Sequence, residues 1–223
     1  MKLWFYSDHC FFGEVRKSIG NVTTYSGAKG YSVGRTRRMK VHNPKTPGQL
    51  EQRAKMKELL RLSLYFSPAA EIGFPGRAAG TSCYNAFLKE NMGAVTATES
   101  ESGEFVAAVD YDQIVCATGF LKPMEDVEVT VDADAKKVIV SQEAQEHWSA
   151  TANANDVLHM AVYEKVKQEM VVTECRSRKE SGSTSVSLGK NWAVENLVIY
   201  VFMLSKNKRR ASRSIVVQPA SGE

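Results

Sequence analysis

The sequence predicts an α+β fold, with a basic β-hairpin plus helices first and a β-sandwich of immunoglobulin or fibronectin III-like kind second. Hairpin-forming and helix-forming patterns both occur before residue 98. About seven short alternating strands, separated by turn-rich segments, follow in the rest of the chain. The predicted division is a basic hairpin-helix region at 1–97 and a β-sandwich domain with lead-in strands at 98–223.

The charge distribution supports this division and indicates the kind of partner. Residues 1–97 hold 15 Lys and Arg against 6 Asp and Glu, whereas residues 98–223 hold 14 against 19. The total of +4 therefore conceals a basic first part and a mildly acidic second part. Such asymmetry indicates that the first part meets an anionic partner, although a solvated basic face explains the same charges.

The predicted hairpin occupies residues 22–33, in the most basic stretch of the chain. Residues 22–25 favour a strand, residues 26–30 supply turn chemistry with two glycines, and Tyr31 resumes the extended pattern. Gly34 interrupts that pattern and predicts a β-bulge. Gly27 and Gly30 match the Gly-x-x-Gly loop of KH domains, but that loop joins helices, so a plain turn is the better interpretation.

A long amphipathic helix is predicted directly after the hairpin. Thr46 and Gln49 have the spacing of a capping box, and Pro47 suits the first helical position. The helix is expected to run to about Phe66 and to be stopped by Pro68. The residues expected on its buried face are Leu59, Leu60, Ser63 and Leu64.

The remaining elements follow from the same signals. A loop is predicted at 71–77, a second helix at 82–92 with Gly93 as its C-cap, and a polar linker or exposed loop at 98–104. Trp148 is the candidate core tryptophan of the sandwich, and a fragment starting near Glu104 is expected to fold alone. Strands are predicted at 105–109, 113–118, 127–131, 138–140, 157–163, 170–175, 183–188, 197–204 and 212–217.

The spacing of the cysteines and the length of the apolar runs indicate the cellular compartment of the protein. The four cysteines form no Cys-x-x-Cys pair, which is typical of buried thiols in a reducing environment. The N-terminal apolar run is too short and too polar for a signal peptide. The longest apolar run, 197–204, is far below membrane-spanning length. We therefore expect a cytoplasmic or virion protein that is not secreted by a signal peptide and has no membrane partner.

No catalytic or metal-binding pattern is present. The sequence lacks a nucleophile elbow, a Walker loop and a zinc-protease motif. Asp110 and Asp112 are spaced as a pair, but a turn pair is commoner than an acid–base pair. His159 lies within an apolar strand, where a structural histidine is commoner than a ligand. The sequence thus predicts no enzyme, no cofactor, no metal and no small-molecule substrate.

Several motifs occur together in a fixed order. The most specific is Asn-Pro-x-Thr-Pro-x-Gln at 43–49, which comes after the basic hairpin. Ile-Gly-Phe at 72–74 and Ser-x-Ser at 212–214 follow it. In these motifs the chain resembles a family of uncharacterised proteins of about two hundred residues that is common in Bacteroidota. The resemblance covers most of the chain and supports the architecture, but it implies no activity.

The functional prediction depends on the basic set and its flanking tyrosines. Lysines and arginines at strand and helix spacing suit a phosphate backbone or an acidic subunit surface, and tyrosines beside the turn suit base stacking. The predicted partner-binding residues are Tyr25, Lys29, Tyr31, Arg35, Arg37, Arg38, Lys40, Lys45, Arg53, Lys57 and Arg61.

We expect a non-enzymatic assembly protein that docks this basic arm onto protein subunits of a larger assembly, of which a phage-type virion is the most concrete version. The alternative is a free protein that binds DNA or RNA.

Overall fold

The computed structural model describes residues 3–6, 17–26, 32–36, 43–146 and 148–218. The chain forms two compact units, Met1–Thr46 and Pro47–Glu223. Both helices and antiparallel sheets are present, so the predicted α+β fold class is confirmed. Among the described residues, no helix combines the length and the apolar character needed to cross a membrane.

The first unit is a four-stranded antiparallel sheet in the order β1-β4-β3-β2. Its strands are β1 (Leu3–Tyr6), β2 (Lys17–Ile19), β3 (Val22–Ser26) and β4 (Ser32–Thr36). Strands β3 and β4 form the predicted hairpin, whose turn lies outside the described residues.

Gly34 is not the predicted bulge. It pairs with Thr24 on one side and Trp4 on the other in an unbroken register. β4 is a central strand with a neighbour on each edge, and its backbone therefore continues the ladder through the glycine.

The second unit begins with the helices α1 (Pro47–Tyr65), α2 (Ser67–Gly73) and α3 (Cys83–Asn91). The predicted start at Pro47 and the predicted second helix are confirmed, and Ser82 caps α3 by accepting the Asn85 N–H at 3.1 Å. α1 ends at Tyr65, close to the predicted Phe66, but Pro68 is followed by a further helix rather than by a loop. Pro68 lies in the first turn of α2, where a missing N–H is tolerated, so α2 occupies the first part of the predicted loop.

Two further helical predictions are wrong in detail. α3 ends at Asn91 and runs into a 3-10 turn, Met92–Ala94, so Gly93 is not its C-cap. On α1 the buried residues are Leu59, Leu62 and Ser63, whereas Leu60 and Leu64 are exposed. Apolar residues lie on more than one side of α1, and the spacing alone did not indicate which side faces the core.

The rest of the second unit contains a β-hairpin and a β-sandwich. The hairpin, β5 (Val95–Glu99) and β6 (Phe105–Val109), packs on α1, and residues 100–104 of the predicted linker or exposed loop form the turn between its strands. The sandwich strands are β7 (Val127–Asp132), β8 (Lys137–Gln142), β9 (Val157–Glu164), β10 (Glu169–Ser177), β11 (Gly182–Ser187), β12 (Leu197–Leu204) and β13 (Ile215–Val217).

The sandwich pairs a three-stranded sheet, β11-β8-β7, with a four-stranded sheet, β10-β9-β12-β13. Both are antiparallel, and this strand order is fibronectin III-like, as predicted. Trp192 is the buried tryptophan of the sandwich core, with Nε1 donating to Glu169 Oε2 at 2.7 Å. The predicted core residue Trp148 is 47% exposed instead.

The four-stranded sheet is buried on both faces. Met160 of β9 and Val201 of β12 face the three-stranded sheet, whereas Tyr163 and Tyr200 pack against the helices. Strands covered on both sides have no polar alternation, which explains the continuous apolar run of β12.

Because the helices share a core with this sheet, the division between compact units falls between residues 46 and 47 rather than at the predicted 97/98.

The segment predicted as a strand at 113–118 is buried but irregular. Its backbone groups bond to side chains and to isolated backbone groups, such as the Gly73 carbonyl and the Ser214 N–H, rather than to a neighbouring strand. Asn91 accepts the Val115 N–H at 2.6 Å and donates to the Val115 carbonyl at 2.8 Å. Ser214 Oγ accepts the Cys116 N–H at 3.0 Å. Buried backbone groups need hydrogen-bond partners, but these partners need not belong to a sheet. Strand propensity alone therefore could not distinguish a buried irregular segment from a strand.

Candidate anionic-partner surface

In the first unit, three predicted binding residues are described, and all three are exposed. Tyr25 pairs with Val33 in the β3–β4 ladder, and Arg35 follows Val33 by two residues, so Tyr25 and Arg35 share one face of the sheet. Lys45 is exposed and takes a left-handed backbone conformation with φ of 50°. The predicted residues Lys29, Tyr31, Arg37, Arg38 and Lys40 lie outside the described residues.

In the second unit, α1 presents the predicted row of cations. Arg53, Lys57 and Arg61 recur every four residues, and all three are exposed. Residues at this spacing are neighbours on the helix surface. Leu59 and Leu62 point into the core, which leaves the cationic row at the surface.

Acidic residues on α1 neutralise part of its positive charge. The Arg61 guanidinium donates to both oxygens of Glu58, at 3.2 and 2.5 Å, and this hydrogen bonding raises the pKa of Arg61. Lys55 pairs with Glu51 at 2.6 Å. Ion pairs near the surface such as these contribute little to stability.

A second row, this one apolar, runs beside the cations. Met56 and Leu60 are each 37% exposed and Leu64 is 67% exposed, and each follows a member of the cationic row by three residues. The exposed side of α1 therefore carries adjacent cationic and apolar rows. This combination suits a surface that excludes water from its centre while charged groups select the partner.

The residues considered for catalysis have structural roles. Asp110 accepts the Asp112 N–H at 3.1 Å and the Gln113 side-chain amide at 2.6 Å, so Asp110 caps a 3-10 turn that contains Asp112. His159 is buried, and its ring stacks on Phe202 with centroids 5.6 Å apart. In the part of the chain that the structure describes, no group of three or more His, Cys, Asp or Glu residues is arranged to hold a metal ion.

One basic segment was missed by the sequence interpretation. The connection from β12 to β13 carries five cations within residues 206–213 and no acidic residue. Averaging the charge over residues 98–223, which are acidic in total, concealed this local cluster. A running charge count along the chain finds it at once.

These features define an α+β protein in which three helices cover one face of a fibronectin III-like sandwich and charged rows lie at the surface. The chain belongs to a family of unknown function, DUF6266, whose model matches residues 14–218. Among curated proteins, none matches the chain.

A solved structure, the central fibronectin-III array of RIM-binding protein, resembles the chain distantly. The sequences are 13% identical and the TM-score is 0.29. The similarity covers 52% of this chain and 39% of that protein. At this level it adds no argument about function.

Proposed function

We propose that this protein is a non-enzymatic assembly component that docks its basic N-terminal hairpin-helix arm onto an anionic partner within a larger complex. The observation that carries the proposal is the pair of adjacent rows on α1, one cationic and one apolar. Tyr25 and Arg35 on one sheet face of the first unit extend the set of exposed cationic and aromatic groups.

The favoured partner is a protein subunit with an acidic, partly apolar surface. A purely electrostatic contact with a phosphate backbone makes no use of Met56, Leu60 and Leu64, whereas a protein interface buries such residues at its centre. A phage-type virion is the most concrete assembly of this kind.

The matched family is further inferred to be the Bacteroidota family that the motif at 43–49 resembles.

The test is sedimentation of the tagged full-length chain from cells in which it replaces the native copy. The wild-type chain is expected in high-mass fractions of a density gradient. The double variant Arg53→Glu/Lys57→Glu is expected in low-mass fractions, because reversed charges repel an acidic surface. Lys137→Glu/Lys190→Glu makes the same change of net charge at exposed positions on the sandwich, and its sedimentation should match the wild type.

Nuclease treatment separates the proposal from its alternative. If nuclease releases the chain from the high-mass fractions, the partner is DNA or RNA and the protein is a nucleic-acid-binding protein. A wild-type chain that sediments as a small species in every lysate contradicts both functions.

A further inference from the structure

The basic segment after β12, named here the cationic loop, is a second charged surface, distinct from the α1 rows. All five of its cations are exposed. Arginine predominates, and its planar fork of donors suits phosphate oxygens. The cations are Lys206, Lys208, Arg209, Arg210 and Arg213.

Hydrogen bonds within the cationic loop order its backbone. The Ser205 N–H donates to the Arg210 carbonyl at 2.9 Å, and the Lys208 N–H donates to the Ser205 carbonyl at 2.7 Å. Ser205 Oγ accepts the N–H groups of Arg209 at 3.2 Å and Arg210 at 2.9 Å. The cations are therefore presented from a formed turn, which lowers the entropic cost of binding.

An exposed aromatic ring is held beside this loop. The Leu121 N–H donates to the Ala211 carbonyl at 3.0 Å. Gly119 permits this approach, since a Cβ there would lie 2.2 Å from the Ala211 carbonyl oxygen. Phe120, between the two, is 89% exposed, the largest exposed fraction among the large hydrophobic residues that the structure describes.

Phe120 stands between two hollows. The larger, about 450 Å³, has an apolar floor that includes Phe74 and Ala86. Four cations and one carboxylate surround it: Arg77, Lys89, Arg209, Arg210 and Glu90. The second, about 440 Å³, lies on Leu121 and Ala150 and shares Phe120 and Arg210 with the first.

Arg77 is held by hydrogen bonds on the rim of the larger hollow. Its Nη1 donates to the Phe74 carbonyl at 2.9 Å and its Nε donates to the Thr81 carbonyl at 3.0 Å. These bonds hold the guanidinium in place through two of its nitrogens. The hollow thus combines an ordered guanidinium, further cations and an apolar floor. Its size suits a nucleobase.

We propose that the cationic loop and the Phe120 hollows bind single-stranded nucleic acid, with a base stacked on Phe120 and phosphates held by Arg77, Arg209 and Arg210. The cations of the loop continue past the hollow to Lys206 and Lys208, which line a separate cavity together with Lys179 and the carboxylates of Glu174 and Glu180. An exposed ring stacks only on a base face that is open, which a duplex does not offer. The site uses none of the α1 residues, and the inference therefore goes beyond the proposed function.

The test is fluorescence anisotropy of a labelled 15-nucleotide oligothymidine with the full chain across a salt series. Arg209→Ala/Arg210→Ala should weaken binding at least about tenfold and lower the slope of log K against log salt by about 1.4, since two phosphate contacts are lost. Phe120→Ala should weaken binding roughly 5- to 150-fold, and Phe120→Trp should restore it. Phe120 is exposed, so its substitution leaves folding intact.

Two controls isolate the site. Lys137→Ala/Lys190→Ala removes the same charge elsewhere on the sandwich and should leave binding unchanged. Arg53→Glu/Lys57→Glu should retain oligonucleotide binding even though it loses assembly, so the two proposals fail separately.

Several outcomes overturn the inference: no binding at low salt, equal binding of a duplex, displacement by polyglutamate as effective as by unlabelled strand, or no effect of Phe120→Ala. Displacement by thymidine monophosphate as effective as by the strand, at equal nucleotide concentration, identifies a mononucleotide site and also overturns it.

Discussion

The ring of Phe66 lies 4.7 Å, centroid to centroid, from the ring of Tyr163. Phe66 sits between α1 and α2, and Tyr163 is on β9, so this contact joins the helical layer to the four-stranded sheet. Phe66 also lies 5.6 Å from the rings of Phe87 and Tyr200. Its fully buried side chain therefore links both α3 and β12 to the same cluster.

Replacing Phe66 with alanine should lower the free energy of unfolding by about 3–5 kcal/mol, because a buried aromatic ring leaves a cavity. Denaturant titration measures the loss. Phe120→Ala is the matched control, and its effect should stay within about 0.5 kcal/mol, because that ring is exposed. Equal losses of unfolding free energy for the two substitutions would contradict the role of Phe66 in joining the helices to the sheet.

The structure revises the expectation for the fragment that starts at Glu104. Without the helices, Tyr163, Tyr200 and Phe202 lose their cover and expose an apolar sheet face. We therefore expect this fragment to aggregate or to melt without a cooperative transition, whereas residues 47–223 melt cooperatively. Circular dichroism and size-exclusion chromatography measure both properties. A soluble, cooperatively melting fragment means that the helices are dispensable for the sandwich.

A buried cation lies beside a buried carboxylate in the sandwich. Arg178 is fully buried, with Nε 4.0 Å from Asp156 Oδ2, and donates to Gln145 Oε1 and the Lys122 carbonyl, each at 2.5 Å. Burial lowers the pKa of Arg178, and Asp156 opposes that shift. Arg178→Met should cost about 3–5 kcal/mol, because it leaves the Asp156 charge buried without its partner.

The double variant Arg178→Met/Asp156→Leu should be less destabilised than the two single changes added together, since neither charge is then left alone. Denaturant titration of all four proteins gives the coupling energy. Additive losses mean that this pair does not interact in the folded protein.

His159 should make stability depend on pH. Burial lowers its pKa below the ordinary 6.5, while the Val157 carbonyl and Glu174 oppose the shift and Lys208 reinforces it. Below about pH 6.5 the unfolded chain binds a proton that the folded ring does not, so stability falls as pH decreases through this range. His159→Phe should remove this part of the dependence. Unfolding titrations between pH 8 and 5 measure the difference, and parallel curves for the two proteins contradict it.

The sequence by itself determined the elements that have strong local causes. α1 begins at Pro47 because proline suits a first helical turn, and β9 and β12 lie where apolar runs favour buried strands. The division of charge and the class of β-sandwich, immunoglobulin or fibronectin III-like, also followed from composition and periodicity.

Only the tertiary structure decided which surfaces are covered. Leu60 and Leu64 have the same helical spacing as buried residues but face outward, and Trp192 rather than Trp148 fills the sandwich core. The cationic loop acquires its setting from Phe120, which lies far from it in sequence and is brought close by the bond between Leu121 and Ala211. Sequence periodicity shows which residues share a face of one helix or strand. Burial and site geometry depend on which distant elements pack against that face.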